Sequence, residues 1–220
     1  MLVSAMDVVS RMTWEDSPLS SSKLVVKRLI DLIAASLALL VCLLLFLFVG
    51  LAIKLDSPGP VFFAQARIGK RGRKFTLYKF RSMSQNAEEA KKRLMHLNEA
   101  SGPVFKITND PRVTRVGHLL RKFSLDEVPQ LINVILGDMS LVGPRPPLPC
   151  EVDKYTAHEW KRLSVQPGMT CLWQISGRSD IPFERWVELD LEYIRRQSLL
   201  TDLRILVQTV PAVLLGKGAR

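Results

Sequence analysis

Polar and apolar positions along the chain set one run apart. Residues 32–53 carry no charge over 22 positions and are dominated by leucine. At about 1.5 Å per residue this matches a ~30 Å hydrocarbon core, so the run predicts a membrane helix. It exceeds the apolar region of a cleaved signal peptide, and no small-residue cleavage site follows. Lys23, Lys27 and Arg28 precede it, and residues 54–81 hold eight Lys/Arg against one acid, Asp56. The excess of positive charge assigns the downstream side to the cytoplasm. The upstream positives leave two topologies open: a spanning helix, or a re-entrant one that returns to the cytoplasmic face. Re-entry needs a break, and the run offers only Ser36 and Gly50, with no proline.

Beyond this run the period shortens. Residues 56–60, Asp-Ser-Pro-Gly-Pro, make a sharp exit. Residues 61–63 and 75–78 read as short strands around a basic, glycine-bearing turn at 67–74, which predicts a hairpin. That turn is expected to be solvated and to touch acidic lipid headgroups. Residues 87–100 read as an exposed helix, 109–111 as a turn and 155–163 as a short helix. Residues 171–175 read as a short strand, and 183–196 as an amphipathic helix carrying Asp190. Residues 203–215, interrupted by Pro211, form a helix in the core or on the membrane. The expectation is an α/β fold, mostly helical with short strands. Residues 1–22 are a flexible segment, 23–55 the membrane helix, and 56–220 a small cytoplasmic, membrane-associated domain.

Charge and composition narrow the chemistry. The net charge of +10 suits an anionic partner, whether nucleic acid, an acidic membrane surface or a phosphorylated substrate. Cys42, Cys150 and Cys171 are scattered, as are His96, His118 and His158, so neither a disulfide framework nor a zinc site is indicated.

The richest stretch is 124–146, S-L-D-E-V-P-Q-L-I-N-V-I-L-G-D-M-S-L-V-G-P-R-P. Asp126 and Glu127 stand where a helix should begin, Gly137 where it should stop, and Arg145 between two prolines. Ser124 and Glu127 fit a capping box, with Asp126 complementing the helix dipole. Pro129 is awkward if Ser124 is the N-cap and tolerated if Asp126 is, and both registers stay open. The same residues suit phosphate chemistry. A carboxylate can attack phosphorus, backbone N–H groups at a helix start favour a phosphoryl group, and an arginine with little backbone freedom can grip phosphate bidentately. Arg112, Arg115, Arg121 and Lys122 lie just upstream.

Seven motifs follow in order: K-F-R-S-M (79–83), N-D-P-R (109–112), S-L-D-E-x-P-Q-L-x-N-V (124–134), G-D-M-S-L-V-G-P-R-P (137–146), Q-P-G-M-T (166–170), W-Q-I-S-G-R (173–178) and E-L-D-L-E-Y (188–193). Behind one hydrophobic helix, this set resembles the bacterial sugar transferases, the monotopic polyprenyl-phosphate phosphoglycosyl transferases. The W-Q-I-S-G-R form is similar to the hexose-1-phosphate transferases that start exopolysaccharide, capsule or O-antigen repeats. The resemblance implies transfer of a sugar-1-phosphate from a nucleotide diphosphate sugar to undecaprenyl phosphate, at the cytoplasmic face of a bacterial inner membrane. It implies Asp126 as the nucleophile that forms an aspartyl phosphosugar, and Glu127 as a holder of Mg²⁺. It makes Lys79, Arg81, Arg112, Arg145, Arg178 and Asp190 candidates for binding phosphate or nucleotide sugar, with surface salt bridging as their alternative. Membrane lipid is an expected partner, nucleic acid is not, and a homo-oligomer is open. The chain departs from the family pattern at Leu43-Leu44, where Ser-Pro commonly breaks the helix, and at Cys171, usually glycine. Two other function classes compete: a membrane-tethered nucleic-acid binder, for which no recognition pattern is visible, and a non-catalytic scaffold of a polysaccharide assembly complex.

Overall fold

The computed structural model describes Trp14 and residues 17–177 and 181–215. The uncharged run is not one straight helix. Helix α1 (Ser21–Val41) and helix α2 (Leu43–Asp56) meet at Cys42 with a bend of 57°. Among the described residues no single helix is long and apolar enough to cross a membrane, whereas the bent pair passes that test together by length and composition. No proline stands at the break. The Cys42 N–H still donates to Ala38 O (3.0 Å), and Cys42 O accepts from the Phe46 N–H (3.0 Å). The bend follows instead from packing. Ala35 on α1 is buried with Leu131, Val134 and Met139, whereas Val49 and Ile53 on α2 are buried with Phe80 and Leu120. Each limb is drawn onto a different part of the same body.

Polar contacts fasten both ends of the pair. Near its start, Lys27 Nζ reaches Asp202 Oδ2 (2.6 Å). Arg28 donates to Val134 O (2.6 Å) and Ile135 O (2.9 Å), and Asp31 accepts from Ser140 Oγ (2.7 Å). At its far end, Asp56 Oδ2 accepts from the Val116 N–H (3.0 Å), and Arg81 donates to Ser57 O (2.8 Å) and Pro58 O (2.5 Å).

Strands β1 (Phe62–Ile68) and β2 (Lys74–Phe80) form the expected antiparallel hairpin, longer than the apolar runs alone implied, with Phe62 opposite Phe80. Helix α3 (Ala87–Leu94) is shorter than its sequence pattern, and a 3₁₀ turn, Met95–Leu97, follows. Helix α4 (Arg115–Lys122) precedes the carboxylate pair, and helix α5 (Gln130–Leu136) follows it. Gly137 stops α5 in the left-handed conformation (φ 89°), as its position predicted. Arg28 covers the last-turn carbonyls of α5, where a cation is favoured.

Strand β3 (Ser140–Val142) comes next, then the short helices α6 (Pro149–Val152) and α7 (Ala157–Trp160). Strand β4 (Gly168–Thr170) pairs with β3 in parallel. A Cβ on Gly168 would stand 2.0 Å from Gly143 N, so only glycine permits this crossing. The strand expected at 171–175 is a helical turn, α8 (Leu172–Ile175), and the extended segment lies just before it. A short apolar run has no length by which to choose. Burial chooses here: Cys171 turns to Asp190 while Trp173 stacks on Trp186, at 4.5 Å and 21°. Helix α9 (Phe183–Arg195) carries the main core, with Leu189, Leu191, Tyr193 and Ile194 buried around Val142 and Trp173. Helix α10 (Leu199–Leu215) runs on through Pro211. One face enters the core and the other does not: Ile205 is fully buried, while Leu203, Val207, Val210 and Leu214 are exposed.

Candidate active site

The site forms where the end of β2, the turn after α4 and the proline-flanked turn at 144–146 converge. Thr114 caps α4 by accepting the Gly117 N–H (3.0 Å). Gly117 then lets the helix lie against the chain beyond β2, since a Cβ there would stand 2.0 Å from Ser82 O. That approach lets Arg121 Nε donate to Ser82 Oγ (3.0 Å).

The chain next reverses through Ser124, held left-handed at φ 54°, ψ 21°. For a residue other than glycine this conformation costs about 1–3 kcal/mol and is often found at functional sites. Ser124 opens a 3₁₀ turn, Leu125–Glu127, and its hydroxyl makes no cap. The S-x-x-E capping box is therefore not formed. Glu127 faces Lys79 instead, and α5 begins only at Gln130, with Pro129 as its N-cap residue. Both sequence registers placed the helix start too early. Positive charge beside the carboxylates comes from side chains rather than from a helix start.

Lys79 Nζ lies 2.6 Å from Glu127 Oε1 and 3.8 Å from Asp126 Oδ2. Asp126 is 6% exposed. Its burial pushes its carboxyl above the usual aspartate range; Lys79 opposes this and the neighbouring Glu127 reinforces it. Burial also works to raise Glu127, but Lys79, Arg145 and Arg67 outweigh it and hold that carboxyl down to about 2. Two adjacent carboxylates are thus driven apart, one made more basic and one kept ionised, which is a pattern of divided roles. Among the described residues, Glu127 Oε2 accepts no hydrogen bond. No group of three or more metal-ligating side chains converges among them either. Mg²⁺ takes one or two carboxylates and completes its shell with water and substrate phosphate, so Glu127 is the residue that would hold it.

A cavity of about 280 Å³ opens over the pair. Lys79, Arg112, Arg121 and Arg145 line it together with the carboxylates, as do Phe105, Trp173, Gln174 and Trp186. Arg145 rises from a turn pinned at three points: Pro144 O accepts from Gly168 N (2.9 Å), Pro146 O from Arg67 Nη1 (3.0 Å) and Pro147 O from Ile68 N (3.0 Å). Its guanidinium has no hydrogen-bond or ion-pair partner among the described residues.

The other sequence candidates sit differently. Arg112 borders the cavity, but its guanidinium forks onto Asp110 (2.9 and 2.6 Å) and reaches Ala87 O (3.1 Å). Arg81 is committed to the backbone carbonyls at the exit from α2 and lines the adjoining cavity on the hairpin side rather than this one. Asp190 is fully buried, with Arg162 at 2.7 Å and the Cys171 thiol at 3.0 Å, and stands in the core, not on the cavity. Arg178 lies outside the described residues.

Sequence reasoning missed three residues. Arg121 was noted as upstream charge but lines the cavity. Glu151 lines it too, with one oxygen accepting the Leu148 N–H (2.8 Å); with leucine at that position the sequence carries no capping-box signal. Arg67 was assigned to the solvated turn, yet it is 6% exposed. Burial, with Arg145 close by, lowers its pKa to about 10. A lone arginine at a strand end has no local mark that separates it from the turn.

Comparison with known proteins identifies the family. Residues 22–216 match the family described as bacterial sugar transferase. Galactosyl transferase CpsE of Streptococcus agalactiae serotype III (strain NEM316) is 46% identical over 200 residues, covering 90% of this chain and 44% of that protein. Exopolysaccharide production protein ExoY of Rhizobium meliloti (strain 1021) is 43% identical over 197 residues, 88% of this chain and 87% of that protein. Undecaprenyl-phosphate galactose phosphotransferase of Salmonella typhimurium (strain LT2) is 40% identical over 201 residues, 88% of this chain and 41% of that protein. The chain therefore spans less than half the length of the first and third of these relatives and most of the second. With the family match running through nearly all the described residues, the chain belongs to the bacterial sugar transferase family.

Proposed function

We propose that this chain transfers a sugar-1-phosphate from a nucleotide diphosphate sugar to undecaprenyl phosphate, opening an exopolysaccharide, capsule or O-antigen repeat, through a covalent intermediate on Asp126. The observation that carries this reading is the buried Asp126 beside a Lys79-held Glu127, beneath a cavity into which the unpartnered Arg145 projects. The names of two relatives specify galactose, which makes a galactose-1-phosphate donor the first to assay.

In the first half-reaction an Asp126 oxygen attacks the sugar-linked phosphorus. The bond from that phosphorus to the bridging oxygen breaks, and the nucleoside monophosphate leaves with the electron pair. In the second, an oxygen of the lipid phosphate attacks the same phosphorus. The bond to Asp126 breaks, the carboxylate is restored and the sugar leaves on a lipid diphosphate. No net proton is gained or lost when both phosphates are dianionic. The raised basicity of Asp126 favours attack, and splitting one displacement into two lets a single carboxylate serve both substrates. Lys79, Arg121 and Arg145 offset the charge on the phosphoryl oxygens. Mg²⁺, held through Glu127, would supply further charge neutralisation on the diphosphate.

The chain works at the cytoplasmic face of a bacterial inner membrane, and its bent helix pair is re-entrant. Both ends of the pair bond to the same catalytic body, through Lys27, Arg28 and Asp31 at one end and through Asp56 and Arg81 at the other. A spanning helix would separate those ends by the width of the bilayer.

The test is to incubate the protein with Mg²⁺ and sugar-labelled donor, without lipid acceptor. Label is expected on the peptide containing Asp126 and absent from Asp126→Asn, whose overall transfer falls by ~10³-fold or more. Full transfer with no labelled protein at any time would sink the two-step route.

A further inference from the structure

A second cavity, of about 290 Å³, adjoins the first on the hairpin side. The two share Lys79, Met83, Phe105, Arg112, Arg121, Asp126, Arg145 and Glu151, so they are two lobes of one site. Their outer walls differ. Trp173, Gln174 and Trp186 line only the first lobe, and Pro60, Phe62, Phe63, Phe80 and Arg81 only the second.

Resting on the transferase reading above, we propose that the two lobes divide the two substrates. The Trp173/Trp186 lobe takes the nucleotide sugar, and the Phe62/Phe63 lobe takes a phosphate monoester on a long apolar chain. The second assignment comes from what lies beyond each wall. Phe62 stacks on Phe80 (5.4 Å, 20°), and both meet Phe46 of α2, at 6.1 and 4.8 Å. The outward side chains of α2, among them Leu44, Leu47, Leu51 and Leu55, are 57–80% exposed. Phe62 and Phe63 are themselves 48% and 36% exposed. An apolar tail leaving the second lobe therefore passes from aromatic rings to an apolar helix, while its phosphate stays beside Arg145 and Asp126. Among the described residues, no exposed large apolar side chain comes from 104–107 or 173–186, the segments that wall the first lobe. A chain leaving by that route would enter water and lose about 25 cal/mol for each Å² it exposed. The first lobe offers instead a stacked indole pair and a polar amide, which suit the rings and hydroxyls of a nucleotide sugar.

The experiment measures the half-reactions separately in detergent-solubilised full-length protein. In Phe63→Ser, KM for a prenyl phosphate acceptor is expected to rise ~10-fold. The rate and extent of labelling by the sugar donor should stay at the wild-type level, which also reports that the variant is folded. A prenyl phosphate carrying a photoreactive group on its first isoprene unit should mark peptides containing Phe62, Phe63 or Phe80. An unchanged acceptor KM, or photolabel on the peptides of Trp173 or Trp186, would overturn the assignment. If Phe63→Ser does not fold, the photolabel on wild-type protein decides alone. Failure of the transferase reading is a different result: wild-type protein that takes no label from the donor.

Discussion

Lys79 is the residue on which the two carboxylates depend. It bonds Glu127 and approaches Asp126, and removing it leaves a buried and a half-buried anion side by side. In metal-free protein, Lys79→Met should lose roughly 2–4 kcal/mol of stability at neutral pH. The pH dependence follows from Glu127, which is depressed from 4.5 to about 2. A depressed carboxylate contributes stability that is fully present above its unfolded value and is lost as pH falls through its folded one. The gap between wild type and Lys79→Met should therefore narrow as pH drops from 4.5 to about 2, read as denaturation midpoints in detergent with chelator. A constant gap would mean that Lys79 acts by packing alone. Arg67 acts one step further out, holding Pro146 O and thereby the turn that presents Arg145. Arg67→Leu and Arg145→Ala should each reduce kcat/KM by ~10–100-fold, and the double variant by little more than the worse single one. Additive losses would separate the two residues. None of this couples through local sequence: Arg67 stands 78 positions before Arg145, and its bond to Pro146 O exists only in the folded chain.

At the scale of elements, close backbone approach decides where the site stands. Gly117 brings α4 to Ser82 and so sets the height of Arg121 and of the Ser124 turn. Gly117→Ala must push the helix off a backbone oxygen that cannot rotate away. A loss of about 1–3 kcal/mol is expected in a denaturation curve, together with a fall in donor labelling. Ordinary activity and stability in this variant would show that the approach is not needed. The hairpin, α9 and the stop at Gly137 were legible from alternation, amphipathic spacing and a left-handed cap residue. The start of α5 was not. S-x-x-E is a true cap signal in isolation, but Lys79, from a strand far back in the chain, takes the glutamate away from the helix start. The helical turn at 172–175 was missed for a related reason, because the indole stack that organises it needs Trp186 from α9.

For the whole molecule, the decisive question is the path of the helix pair. The proposed re-entrant path predicts that a cysteine placed at Ser22 and one placed at Ser57 label from the same side in inverted vesicles. Ser22→Cys that reacts only from the opposite side would establish a spanning helix. The apolar faces of α2 and α10 are exposed together with those of α1, which is the surface a domain seated in one leaflet requires.

The amino-acid sequence alone determined the uncharged 22-residue run, the basic balance, the α/β character and the Asp126–Glu127–Arg145 stretch. These are local properties, set by hydrophobic period, by charge and by turn residues acting within a few positions. The tertiary structure decided which cations surround the carboxylates and which are committed elsewhere. It brought in Arg67, Arg121 and Glu151, tied Arg81 to the exit from α2 and buried Asp190 on Arg162. It also bent a helix that contains no proline. The physical reason is the same in each case: a long charged side chain or an apolar helix face takes the partner that burial brings within reach, and burial belongs to the fold as a whole.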